Sequence, residues 1–101
     1  MIKAVVDIHN EDIINLNISG HANFAEYGND IVCAGVSSII FGLMNALDEK
    51  RVEIKMEDNE INIRIIEADN RLRNYLELCL IQLKTIEEVK SQNLKIVIRK
   101  E

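Results

Sequence analysis

The stretch IKAVVDIHNEDIINLNIS, residues 2–19, decides the reading of the fold. Ile2, Ala4, Val6 and Ile8 recur at a period of two, which puts them on one face of a strand. Ile14, Leu16 and Ile18 repeat that spacing after the polar turn Asn10-Glu11-Asp12, so the two runs form a hairpin. Working outward, Val52, Ile54 and Met56 alternate with charged residues, and Ile61, Ile63 and Ile65 do so beyond the turn at Asp58-Asn59. That is a second hairpin. Between the hairpins, Ile31 to about Glu49 reads as a helix with apolar residues nearly all the way round, and Asp30 as its N-cap. A second helix runs from about Asp69 to Lys90, with Leu72, Leu76, Cys79, Leu83 and Ile86 on one face. A last strand, Leu94 to Arg99, turns Ile96 and Ile98 to its apolar side. The order is β-β-α-β-β-α-β, an α+β class in which antiparallel hairpins pack two helices. We expect one domain over residues 1–101, the size of chain that supports a single core.

Composition excludes more than it identifies. The chain is 48% hydrophobic and 29% charged, with a net charge of −5 and two phenylalanines and two tyrosines as its only aromatics. A nucleic-acid binder shows a basic stripe or stacking aromatics, so no direct nucleic-acid binding is expected. No apolar run approaches the ~20 residues of a bilayer span, and the alternating N-terminus is unlike a secretory signal, so no membrane association is expected. Two cysteines make no disulfide framework, and a reducing, cytoplasmic setting follows. No C-x-x-C or H-x-x-x-H pair occurs, so neither a metal site nor a cofactor is expected.

One segment departs from packing logic. Gly20 to Asp30, GHANFAEYGND, is glycine-bounded, polar and aperiodic, and reads as a loop feeding the first helix. Cys33 then falls about three residues into that helix, where free N–H groups and the positive dipole end favour an anion. A free cysteine is only about 3% thiolate at pH 7, and a helix start or a histidine raises that fraction. The same N–H groups can hold the oxyanion formed when a thiolate attacks an amide carbonyl. A departing amine needs a proton, and His21 on the loop is the candidate donor. Asp30 can orient the imidazole, and Ser37, four residues after Cys33, shares its helix face. Gly20 and Gly28 suit hinges, which predicts that residues 20–29 move and close over a bound substrate.

Packing offers a rival account of each residue. Cys33 can be a small buried hydrophobe, His21 an idle loop residue, Asp30 a simple cap and Ser37 a small packing residue. Cys79 fits the apolar face of the second helix and reads as core, and His9 as a surface residue. A thiol redox protein would need Cys79 as resolving partner for Cys33.

The stretch GHANFAEYGNDIVCAGVS, Gly20 to Ser37, resembles the signature of the ribosomal-processing cysteine protease family, Prp. The matching residues are Gly20-His21-Ala22, Gly28 and Asp30-Ile31-Val32-Cys33-Ala34, and the chain length and element order match as well. The resemblance implies Cys33 as nucleophile and His21 as general base, with Asp30 and Ser37 in supporting roles. It also implies a bacterial homodimer that removes the N-terminal extension of a large-subunit ribosomal protein precursor, cutting just after an aromatic pair. The alternative it leaves is a non-catalytic ribosome-assembly module of the same fold.

Overall fold

Alternation at a period of two gives five strands, and burial selects which face of each is covered. The computed structural model describes residues 1–20 and 27–101, the side chains of 27–30 excepted. The elements are β1 (Ile2–His9), β2 (Asp12–Gly20), α1 (Tyr27–Ala46), β3 (Val52–Glu57), β4 (Glu60–Ile65), α2 (Asn70–Val89) and β5 (Leu94–Lys100). The α+β reading and its β-β-α-β-β-α-β order hold.

The strands form one sheet in the order β3-β4-β2-β1-β5. The hairpins pair antiparallel, and β2 joins β4 antiparallel, so the two hairpins meet in the middle of the sheet. Strand β5 docks parallel to β1, with Leu94 opposite Ile2 and Arg99 opposite Asp7. The sequence pattern of β5 carries no direction, because side-chain alternation is the same whichever way a strand runs. The core is built from Ile2, Ala4, Val6, Leu16, Ile18, Ile63 and Leu94 on the sheet, and from Val32, Val36, Ile40, Leu72, Leu76, Cys79 and Leu83 on the helices. The opposite face of the sheet is polar. There the side-chain amides of Asn17 and Asn15 both donate to the Asn62 side-chain Oδ1 at 3.0 Å, and the Asn62 amide donates back to the Asn15 Oδ1.

Three expectations change. A bulge after Asp7 sets Ile8 opposite Ile13, so Ile14 leaves the face it was expected to share with Leu16 and Ile18. Strand β3 is an edge strand in which only Val52 is buried; Ile54 and Met56 stay 37% and 57% exposed despite their apolar alternation. Helix α1 begins at Tyr27, one turn before the expected start, and ends at Ala46. Gly28, expected in the loop as a hinge, is its second residue, and Asp30, expected as its N-cap, is its fourth. Acidic residues favour the whole first turn as well as the cap, so Asp30 marked a helix start without fixing its register. Helix α2 matches the expectation. Asp69 is its N-cap, accepting a bond from the Leu72 N–H at 2.8 Å.

Candidate functional site

Cys33 is the seventh residue of α1, beyond the four whose N–H groups lack intrahelical partners. The expectation that free helix-terminal N–H groups surround its sulfur is therefore corrected. What Cys33 does possess is access. It packs at the border of the core, half-buried, and lines a groove of about 380 Å³ between α1 and the ends of the sheet strands.

The groove wall on the α1 side carries Cys33, Val36, Ser37 and Phe41. Ser37 and Phe41 follow Cys33 at four-residue steps, so the three form a stripe on one helix face. The sheet side presents Ile2, Ile18, Met56 and Ile61, and the rim is set by Gly20 and by Glu57, Asn59 and Glu60 of the β3–β4 turn. These rims are tied together: the Gly20 N–H donates to the Asn59 carbonyl at 2.9 Å. Asn59 reaches this position with φ of 62°, in the left-handed region that asparagine tolerates. Gly20 has φ of +88°, and a Cβ there would collide with the Met1 carbonyl oxygen. Only glycine closes β2 in this way.

Of the predicted site residues, the structure thus brings Gly20, Cys33 and Ser37 to one groove. His21 lies outside the described residues, and with it the greater part of the closing-loop expectation; residues 27–29 of that segment are helical. Asp30 sits in the first turn of α1, three residues before Cys33, and its side chain also lies outside the described residues. Phe41, Met56 and Ile61 were not singled out from the sequence as site residues. The signal was available in β3, where an apolar alternation sits on a hairpin bounded by charged residues, but nothing in the pattern says which hairpin strand is the edge.

Cys79 has the opposite environment. It is 2% exposed on α2, and burial pushes its thiol up to about 11. It lines a different cleft, between α1 and α2, with Ser38, Gly42 and Leu78. Both cysteines are free thiols. A buried, protonated sulfur in another cleft is poorly placed to resolve a disulfide with Cys33.

The profile of a family described as cysteine protease Prp matches residues 1–95. The chain belongs to this family. It is a cysteine protease by that membership. Ribosomal processing cysteine protease Prp of Staphylococcus aureus is 35% identical over 103 residues, covering 95% of this chain and 97% of its own length. The Bacillus subtilis protein of the same name is 32% identical over 107 residues, covering 95% and 96%. A crystal structure of the ribosomal processing protease Prp from S. aureus, in complex with a covalently linked product peptide, superposes with a TM-score of 0.88. It is 32% identical, and the match covers 98% of this chain and 100% of that one.

Proposed function

We propose that this Prp-family protease is an endopeptidase that removes the N-terminal extension of a large-subunit ribosomal protein precursor, with Cys33 as nucleophile and His21 as general base and acid. One observation carries the reading. Cys33 opens onto a groove deep enough for a peptide side chain, and Gly20, the residue directly before His21, forms part of that groove's rim. The chain therefore leaves β2 for the histidine-bearing segment at the rim of the groove that Cys33 lines. The relatives' names supply the substrate class, and the peptide held covalently by the S. aureus protease supplies the precedent for a covalent step.

In this reading His21 takes the proton of the Cys33 thiol, and the thiolate attacks the scissile carbonyl carbon to form a C–S bond. The tetrahedral intermediate collapses, the C–N bond breaks, and the amine leaves with the proton that His21 returns. Water, deprotonated by His21, then hydrolyses the thioester and frees the peptide acid and the Cys33 thiol. With Cys33 inside the helix, its own N–H is committed to the helix ladder. Ser37, exposed in the same groove one turn on, supports the reaction by hydrogen-bonding the bound peptide. Asp30 supports the entry to α1.

The protein acts in the bacterial cytoplasm, which suits two free thiols and a ribosomal substrate. It acts as a homodimer. Leu78 and Ile81 of α2 are each 53% exposed, and the neighbouring α1 surface has Gly42, where a Cβ would meet nothing within 4 Å. An apolar, small-residue face of two helices is what a second copy would cover.

The test is a synthetic peptide copying the host's own precursor N-terminus, incubated with the protein and read by mass spectrometry. One cut, absent with a scrambled peptide and absent with Cys33→Ala protein, is expected. No cut in the native sequence, or equal cutting of the scrambled one, would refute the substrate assignment.

A further inference from the structure

Among the described residues, Asn10, Glu11 and Asn59 are the non-glycine positions with positive φ. Asn10 and Glu11 turn β1 into β2, at the end of that hairpin far from Gly20. Asn59 turns β3 into β4 on the rim of the Cys33 groove, and left-handed strain in a non-glycine residue collects at functional sites. Its carbonyl does not stay within its own hairpin. It accepts the Gly20 N–H at 2.9 Å, one residue beyond the β2–β4 ladder, which ends with Ser19 opposite Glu60. The hairpin by itself is not optimised here, because Glu57 stands directly opposite Glu60, a like-charge pair that works against closure.

Gly20 is held from its other side as well. It pairs with Ile2, and its missing Cβ leaves room for the Met1 carbonyl. Ile2 is anchored in turn, its N–H donating to the Asn93 carbonyl at 2.8 Å. The residue after Gly20 is His21, and one trans peptide spans only about 3.8 Å between α-carbons. The clasp therefore fixes the point from which the histidine-bearing segment starts. It is made by the Asn59 main chain, so it depends on the backbone at residue 59 staying left-handed. Asparagine tolerates that region and glycine adopts it without steric cost. A β-branched residue does not, and relieves the strain by turning its peptide, which carries the carbonyl away from Gly20.

We propose that Asn59 is a positioning residue for the cleavage reaction: its left-handed backbone clasps Gly20 and so sets where the chain delivers His21 to the Cys33 groove. This rests on the reading of His21 as general base and acid.

The experiment measures kcat and KM on the precursor peptide for the native protein, Asn59→Val, Asn59→Gly, His21→Ala and the double variant Asn59→Val with His21→Ala. Asn59→Val should lower kcat about tenfold and leave KM within about twofold, because a displaced base slows the chemistry and the groove still binds. Asn59→Gly should recover that loss to within about twofold of native, although it removes the whole side chain. In His21→Ala protein the valine should cost less than about twofold, since no histidine is left to misplace. Asn59→Ala, unbranched and less strained, should fall between glycine and valine, and it replaces the valine variant should that one not fold. A loss that persists in full without His21, a loss confined to KM, or a glycine variant as slow as the valine one would overturn the positioning role. So would native kcat in Asn59→Val. In each of these cases a His21→Ala loss of roughly 10²–10⁴-fold keeps the cleavage reading intact. A native rate in His21→Ala would overturn both.

Discussion

The two cysteines of this chain differ in a way that chemistry can read directly. Cys79 is buried with its thiol pushed up to about 11, so near pH 8 about one sulfur in a thousand is thiolate. Cys33 faces an open groove. Iodoacetamide on the folded protein should therefore label Cys33 first and reach Cys79 only on unfolding; peptide mapping that finds Cys79 labelled first would contradict this. A second residue-scale prediction concerns Asp7, buried on β1 and bound by Arg99 through two hydrogen bonds of 2.6 and 3.0 Å. The Arg99 hydrogen bonds, aided by its charge and opposed by burial, hold the Asp7 carboxyl below its usual range. A carboxylate depressed in the folded state stabilises above its unfolded value of about 3.9, and that contribution disappears as pH falls through the lower folded value. Asp7→Asn should thus lower the thermal midpoint at pH 7 and matter progressively less as pH falls below about 3.9. A difference that does not shrink with falling pH would show that the charge is not what the pair contributes. Cys79 was legible as core from its place on the leucine stripe of α2, whereas the Asp7–Arg99 pair was not. It joins residues 92 apart and exists only because β5 runs parallel to β1.

Helix α1 is the element on which sequence and structure part most clearly, and its two interior glycines test why. A Cβ on Gly35 would meet the Ile86 Cδ1 of α2 at 3.3 Å, while one on Gly42 would meet nothing within 4 Å. Mid-helix glycine costs about 1 kcal/mol relative to alanine, so Gly42→Ala should recover up to about 1 kcal/mol in denaturant titration. Gly35→Ala should recover distinctly less, since Ile86 must shift to admit the methyl group. Equal gains would mean that α1 and α2 do not approach as closely at Gly35 as they do here. The same helix shows where sequence reading stops. Apolar spacing and an acidic residue located α1, but both are satisfied by starts one turn apart, and that turn decides whether Cys33 has free N–H groups around it. For α2 the stripe and both boundaries agreed, because Asp69, which caps the helix, directly precedes the first apolar period. Strand β3 shows the complementary gap. Its alternation was read correctly as a strand, but its place at the sheet edge depends on which hairpin partner meets β2, a long-range choice.

At the scale of the whole molecule, a chain with two exposed apolar faces invites two kinds of partner. The face of α2 around Leu78 and Ile81 suits a second copy, and the groove beside Cys33 suits a peptide. Light scattering at micromolar concentration should give twice the chain mass of 11.6 kDa, and Leu78→Glu with Ile81→Lys should return it to the single mass. A monomeric native protein would contradict the dimer. The order of elements and the core were readable from residues 2–19 outward because each hairpin signals itself locally. The groove was not, because Gly20, Cys33, Phe41 and Met56 meet only once two hairpins share a sheet. The central claim is that Cys33 and His21 act together on a peptide bond. It is tested most directly by the cleavage rate of the precursor peptide in four proteins: native, Cys33→Ala, His21→Ala and His9→Ala. Cys33→Ala should be inactive, His21→Ala slower by roughly 10²–10⁴-fold, and His9→Ala close to native, since His9 is exposed at the end of β1. Cleavage surviving in Cys33→Ala, or equal effects of the two histidine substitutions, would contradict the account.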